Sequence, residues 1–130
     1  MTVSLATIAK TAEAQATATL MDGGSMKLYT GTPPATANTA LSGNTLLGSL
    51  AFSATFAASV ASGVATAAAI SNDTAADNSG TASFFRAFKS DGTSVVMQGT
   101  VTATGGGGDA TIPSTTITAG DILSCTGYTY

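Results

Sequence analysis

Histidine and tryptophan are absent from the 130 residues, cysteine and arginine each occur once, and lysine occurs three times. Each gap removes a class of chemistry. Proton transfer near neutral pH falls mainly to histidine, and activated nucleophiles, metal centres and phosphate clamps draw on histidine, cysteine, lysine and arginine. A serine nucleophile has no imidazole partner in this chain. Glu13 is the only glutamate and the aspartates fall mostly in turn-like stretches, so a pair of carboxylates for glycoside hydrolysis has no obvious members. Nothing in the pattern sets Lys10, Lys27 or Lys89 in an apolar cleft. The expectation is a non-enzymatic protein with no cofactor and no resident metal.

Charge is also scarce. Charged residues make up 8% of the chain, against roughly a quarter in ordinary soluble domains, so the surface must consist of Thr, Ser, Asn and backbone. Such a surface repels its neighbours weakly, which points to assembly with partners. The net charge is −3 and the four cations, Lys10, Lys27, Arg86 and Lys89, form no tract. Nucleic-acid binding, which needs a basic footprint, is not expected. Cys125 cannot form an internal disulfide and reads as a small buried hydrophobe. The charge-free run 51–70 is long enough for a membrane span, but it holds Ser53, Thr55, Ser59, Ser62, Gly63 and Thr66 and lacks flanking cations. No membrane partner is expected. A secretory leader is not expected either, since no cation precedes the first apolar stretch and Lys10 interrupts it.

What is present is patterned. Residues 4–21 lack Gly and Pro, and Leu5, Ile8, Ala9, Ala12, Ala16, Thr19 and Leu20 recur at helical spacing. This predicts an amphipathic helix over 4–21, capped by Thr2 or Ser4 and ended by Gly23 and Gly24. Its stripe could lie on the domain's own sheet or on a second protein, the first being favoured. Beyond Gly24 the period changes to two. Strands are expected at 26–30, stopped by Pro33 and Pro34, at 46–52, and at 64–70 after the turn Ser62-Gly63. Residues 35–44 and 71–80 read as loops.

Asp91-Gly92 between the strand patterns 82–89 and 94–102 marks a hairpin. Gly105 to Gly108 reads as a mobile hairpin tip, 110–118 as a strand past Pro113, Ala119-Gly120-Asp121 as a tight turn and 122–130 as the last strand. Short strands at about ten-residue spacing predict one domain over 1–130, mainly β: a helix at 4–21 followed by an antiparallel β-sandwich, jelly-roll or Ig-like, over 26–130.

Three clusters merit separate reading. Asp73 and Asp77, with Asn72 and Asn78, could offer oxygen ligands to calcium, but their spacing fits no known calcium loop and turns use the same residues. Phe84, Arg86 and Phe88 share one face of a strand whose other face carries Phe85 and Ala87, which predicts a central strand covered on both sides. Arg86 is then paired with a turn aspartate, stacked on the rings or aimed at another subunit. Tyr29, Tyr128 and Tyr130 could stack on sugars or simply pack at sheet edges. The candidate assembly residues are Leu5, Ile8, Leu20, Phe84, Arg86 and Phe88.

The succession from Met21-Asp22-Gly23-Gly24 through Met26-Lys27-Leu28-Tyr29-Thr30-Gly31-Thr32-Pro33-Pro34, then Gly43-Asn44-Thr45-Leu46-Leu47, resembles small structural proteins of tailed bacteriophages. Gly63-Val64-Ala65-Thr66-Ala67, the segment 82–88, Ser90-Asp91-Gly92-Thr93 and Gly99-Thr100-Val101 follow in similar order. The resemblance implies a virion protein made in the host cytoplasm, with decoration or cementing of the capsid exterior as the leading position and tail, baseplate or head fibre as the alternative. It implies the major capsid protein or sister copies as partners, in a homo-oligomer for which a trimer is one form. A carbohydrate-binding module that touches host-surface glycans through Tyr29, Tyr128 or the loops is the reading of a different class.

Overall fold

A computed structural model describes residues 2–130. It shows a mainly β chain with one helix near its start, α1 (Thr7–Leu20), and a curled mixed sheet. The strands are β1 (Ser25–Thr30), β2 (Leu46–Ala51), β3 (Ala57–Ala61), β4 (Val64–Ala67), β5 (Gly80–Phe88), β6 (Val95–Ala103), β7 (Ala110–Ile112), β8 (Thr116–Ile117) and β9 (Gly127–Tyr128). The main sheet runs β2-β1-β5-β6-β7-β9, with β8 pairing the start of β5 and β3-β4 forming a separate hairpin.

The sheet is built around β5, as its sequence requires. Phe85 and Ala87 join Met26, Leu28 and Leu50 in the core, whereas Phe84, Arg86 and Phe88 are buried on the opposite side. The expected double covering is therefore observed. β5 and β6 pair antiparallel from Phe84↔Thr100 to Phe88↔Val95. Their turn is fixed by Asp91, whose carboxylate accepts from the N–H groups of Thr93 (2.9 Å) and Ser94 (2.8 Å) and from the Ser94 hydroxyl. Those bonds, the hydroxyl's first, hold the exposed Asp91 carboxyl well below the usual range. At the β3–β4 turn, Ser62 (φ 52°) and Gly63 (φ 77°) both take the positive φ of a primed two-residue hairpin.

Several expectations need correction. β6 and β7 pair parallel, from Val101↔Ala110 to Ala103↔Ile112, so the sheet is not wholly antiparallel. Residues 104–109 do not form a hairpin tip. They curl back along β6 until Asp109 Oδ2 accepts from Thr100 N (2.8 Å) and Oγ1 (2.9 Å), and β7 then restarts in the same direction. The curl is tight, since a Cβ on Gly106 or Gly108 would lie 2.8 Å from Thr102 side-chain atoms. That backtracking explains how so short a connection joins adjacent parallel strands, which ordinarily need a dozen or more residues.

Pro113 divides the strand expected over 110–118 into β7 and β8, as the missing donor requires. The strand expected over 122–130 survives only as β9, flanked by single bridges at Leu123 and Thr129. β4 stops at Ala67, short of the expected 70, and β3 was not foreseen.

The helix is shorter at its start than expected. Its cap is Ala6, with no side-chain bond, in place of Thr2 or Ser4. At the other end Gly23 takes φ +65°, and the N–H of Gly24 donates to Met21 O (2.9 Å).

Candidate assembly interface

Helix α1 carries two stripes, and the less hydrophobic one faces inward. Ala14, Ala18 and Met21 are buried in the core. Small side chains let the helix lie close over the β3–β4 hairpin: a Cβ on Gly63 would meet Lys10 Cβ at 3.0 Å, and Gly63 N donates to Thr11 Oγ1 at 3.0 Å. Asp22 Oδ1 accepts from Phe56 N (2.8 Å) at the other end, so the helix runs antiparallel to β3. The stripe expected to cover the sheet points away from it. Ile8 is 82% exposed, Leu20 49% and Leu5 43%, and Val3 ahead of the helix is 87% exposed. Of the two uses open to this stripe, packing on the chain's own sheet is ruled out.

Phe84, Arg86 and Phe88 do not join these residues on a common surface. They lie on the far side of the sheet, where Arg86 reaches the segment 31–45, whose residues 35–44 read in the sequence as a plain polar loop. Arg86 is only 5% exposed. Its Nε donates to Gln98 Oε1 (3.0 Å) and its Nη2 to the carbonyls of Thr39 and Thr36, while Gln98 Nε2 donates to Pro34 O (2.8 Å). Asn44 Nδ2 closes the base of the loop on Thr30 O (2.8 Å) and Thr32 O (3.0 Å). Arg86 is thus an internal clamp satisfied by carbonyls, with no carboxylate partner in these bonds. Tyr29 stacks on Phe84 (5.3 Å between centroids), and Lys27 Nζ lies 4.5 Å above the Phe88 ring.

The clamp yields a test. Arg86→Met keeps much of the apolar stem but leaves Gln98 and the two loop carbonyls without their donor. It should lower stability by about 2 kcal/mol and raise amide exchange and proteolytic cutting within 31–45. Unchanged protection there would show that the loop stands without Arg86.

The remaining candidates have structural employment. Asp73 accepts from Ser49 N (2.9 Å) through Oδ2 and from Ala75 N (3.1 Å) through Oδ1, pinning the 71–78 segment against β2. No group of three metal-ligating side chains converges among the described residues. Tyr128 is 4% exposed and Tyr29 5%, which leaves neither a platform for a sugar ring. Cys125 is half-buried, its S–H directed at Gly127 O (3.4 Å), and burial pushes its thiol pKa up. An apolar groove of about 290 Å³ opens between the β7–β8 connection and residues 121–124, lined by Ile112, Pro113, Ile117, Ile122 and Leu123. No convergent set of titratable side chains lines it.

Comparison of the chain with family models, with curated proteins and with solved structures finds no match in any of the three. The features of the chain that bear on function are the outward stripe of α1 and the weakly charged surface around it.

Proposed function

We propose that this chain is a non-enzymatic structural protein of a tailed-phage particle, and that it decorates the capsid exterior as a cement protein. The carrying observation is the inverted helix. A 14-residue amphipathic helix packs its alanine face inward and leaves Ile8 and Leu20 in solvent, an arrangement that makes sense when a partner covers the outer stripe. The 8% charge content agrees, because a weakly charged Thr/Ser surface is tolerable on a protein that spends its life docked. The acidic balance fits a position away from packaged DNA. In this reading the curled sheet and the β3–β4 hairpin form a sandwich-like body, and α1 presents the anchor to the major capsid protein. A tail, baseplate or head-fibre position is the alternative. The sugar-binding reading loses its two tyrosine platforms with the burial of Tyr29 and Tyr128 and is left with the loops alone.

Binding of purified protein to expanded heads of the parent particle that lack it tests the proposal. Saturable binding with a raised disruption temperature is expected. Ile8→Glu should weaken that binding at least tenfold, as burying an unpaired carboxylate at a contact does, without moving the melting temperature of the isolated protein. Absence of binding to heads, with the chain found on purified tails, would replace decoration by the tail position.

A further inference from the structure

Among the described residues several strand edges of this fold are closed by neighbouring segments, and the outer edge of β3 is open. The outer edge of β2 is sealed by the 71–78 segment: Asp77 N donates to Leu47 O (2.8 Å), Ser71 N to Ala51 O (2.9 Å) and Asn78 Nδ2 to Leu46 O (2.8 Å). The end of the sheet beyond β9 is sealed by β4, through the reciprocal Ala65–Tyr130 bonds (2.8 and 3.2 Å) and the Thr66–Thr129 bridge. β3 pairs β4 on one side, and no backbone bond reaches its other side among the described residues. Its sequence Ala57-Ala58-Ser59-Val60-Ala61 has no charge and no proline, and Ala58, Ser59 and Ala61 are exposed. Charge and proline, two of the devices that keep a strand edge from pairing, are missing here, and the one irregularity is the register shift between Ala57 and Ser59.

The same chain carries a strand-like segment with no partner. Thr2-Val3-Ser4-Leu5 alternates polar and apolar residues, is exposed throughout, has no assigned secondary structure, and leads into Ala6 at φ −68°, ψ 157°. We infer that residues 2–5 of one copy add as a strand to the open edge of β3 in a second copy. The length matches, as four to five extended residues span roughly 13 to 17 Å, the reach of a five-residue strand. Both segments lack charge, so no unpaired ion is buried. Val3 and Leu5, sharing one face, continue the inward side of Val60, which packs against the core.

Exchange between copies follows from the helix direction. Lys10 and Thr11 sit at the β3–β4 turn and Asp22 at the start of β3, so residues 2–5 project beyond the turn. Folding back along the chain's own β3 would require a reversal, and Ala6, extended and already the helix cap, leaves no loop to make one. The contact does not depend on where the protein works, and failure of capsid binding would leave it standing.

Sedimentation of the full chain tests it by complementation. Wild type should associate with rising concentration. Val3→Pro/Leu5→Pro, which removes donors from the leading segment, and Val60→Pro, which removes the outward donor at the middle of the edge, should each sediment as single chains with native circular dichroism. Mixed together they should recover a one-to-one complex, because one variant keeps the edge and the other keeps the segment. As a measurement independent of variants, amides of 2–5 and 57–61 in wild type should gain exchange protection as concentration rises. A wild type that stays monomeric at about 1 mM, the range of the weakest specific contacts, would overturn the inference. So would association that persists in both variants, or concentration-independent exchange in the two segments.

Discussion

Gly24→Ala is expected to destabilise the protein by about 4 kcal/mol, near the top of the range for one methyl group. Gly24 joins α1 to β1 and is buried where three segments meet. Its carbonyl accepts from Phe52 N at 2.9 Å, and its own N–H donates to Met21 O at 2.9 Å. A Cβ there would stand 1.9 Å from the carbonyl oxygen of Phe88 and 3.1 Å from that of Met21. Both obstacles are backbone, so no side chain can swing aside. The chain would have to move β1 away from β5 at the Ser25↔Phe88 pair that starts their ladder.

Gly23 is the informative control. It has the positive φ of +65°, yet its nearest neighbour to a new Cβ is Ser90 Cβ at 3.9 Å. Gly23→Ala should therefore lose only about 1 kcal/mol, the strain of a left-handed alanine. Denaturant midpoints measure both. The order is the reverse of what φ alone gives, and a Gly24→Ala loss no larger than that of Gly23→Ala would refute the packing argument.

The contrast between these glycines shows where sequence reading stops. Two adjacent glycines after a helical pattern announce a helix end, and that much was legible. Which of them turns the chain and which makes room for a strand sixty residues away depends on tertiary approach, and no local pattern encodes it. The helix itself repeats the lesson. Period 3.6 was clear, but the rule that the most hydrophobic stripe faces inward failed, because Ala14 and Ala18 permit a closer approach to the hairpin than Ile8 would.

Asp91-Gly92 was legible because both the turn and its cap are local. The Gly105–Gly108 curl was misread because four glycines license any path, and only the Asp109–Thr100 bonds select the backtracking one. Arg86 was correctly singled out as unusual between two phenylalanines. Its partners, the carbonyls of a loop some fifty residues earlier, were beyond any spacing rule.

Tyr128→Ala is the second large effect, with an expected loss of about 3 to 5 kcal/mol. The residue sits on two-residue β9 yet holds the core together. Its ring centroid lies 5.1 Å from Phe85, 5.6 Å from Phe56, 6.1 Å from Phe52 and 6.2 Å from Tyr130, with edge-on contacts to the first two. Removing it opens a cavity among rings contributed by the main sheet, the hairpin approach and the C-terminal strand together. Tyr128→Phe keeps the ring and deletes only a hydroxyl directed at the sulfurs of Met97 and Met21, which are weak acceptors. It should change stability by less than about 1 kcal/mol.

The two variants then separate under alkali. Burial pushes the Tyr128 phenol far above its ordinary value, and burial pushes Tyr130 up to about 12. A phenol whose folded-state value is raised binds its proton more tightly folded than unfolded. Its contribution is complete below the unfolded value of about 10 and is lost as pH rises from there through the folded value. The denaturant midpoint of wild type should hold up to about pH 8.5, where the raised Cys125 thiol begins to cost stability, and fall more steeply from about pH 10 toward pH 12 as the phenols follow. Tyr128→Phe should fall less steeply, retaining the parts due to Tyr29, Cys125 and Tyr130, all raised by burial; the Tyr130 hydroxyl donates to Ala14 O at 3.1 Å and ties it to α1. Phenolate absorbance followed alongside the midpoint checks the cause, because in wild type the buried phenols should ionise only as the protein unfolds. A flat midpoint across that range, or early ionisation of every tyrosine in the folded protein, would mean that the aromatic hub is open to solvent.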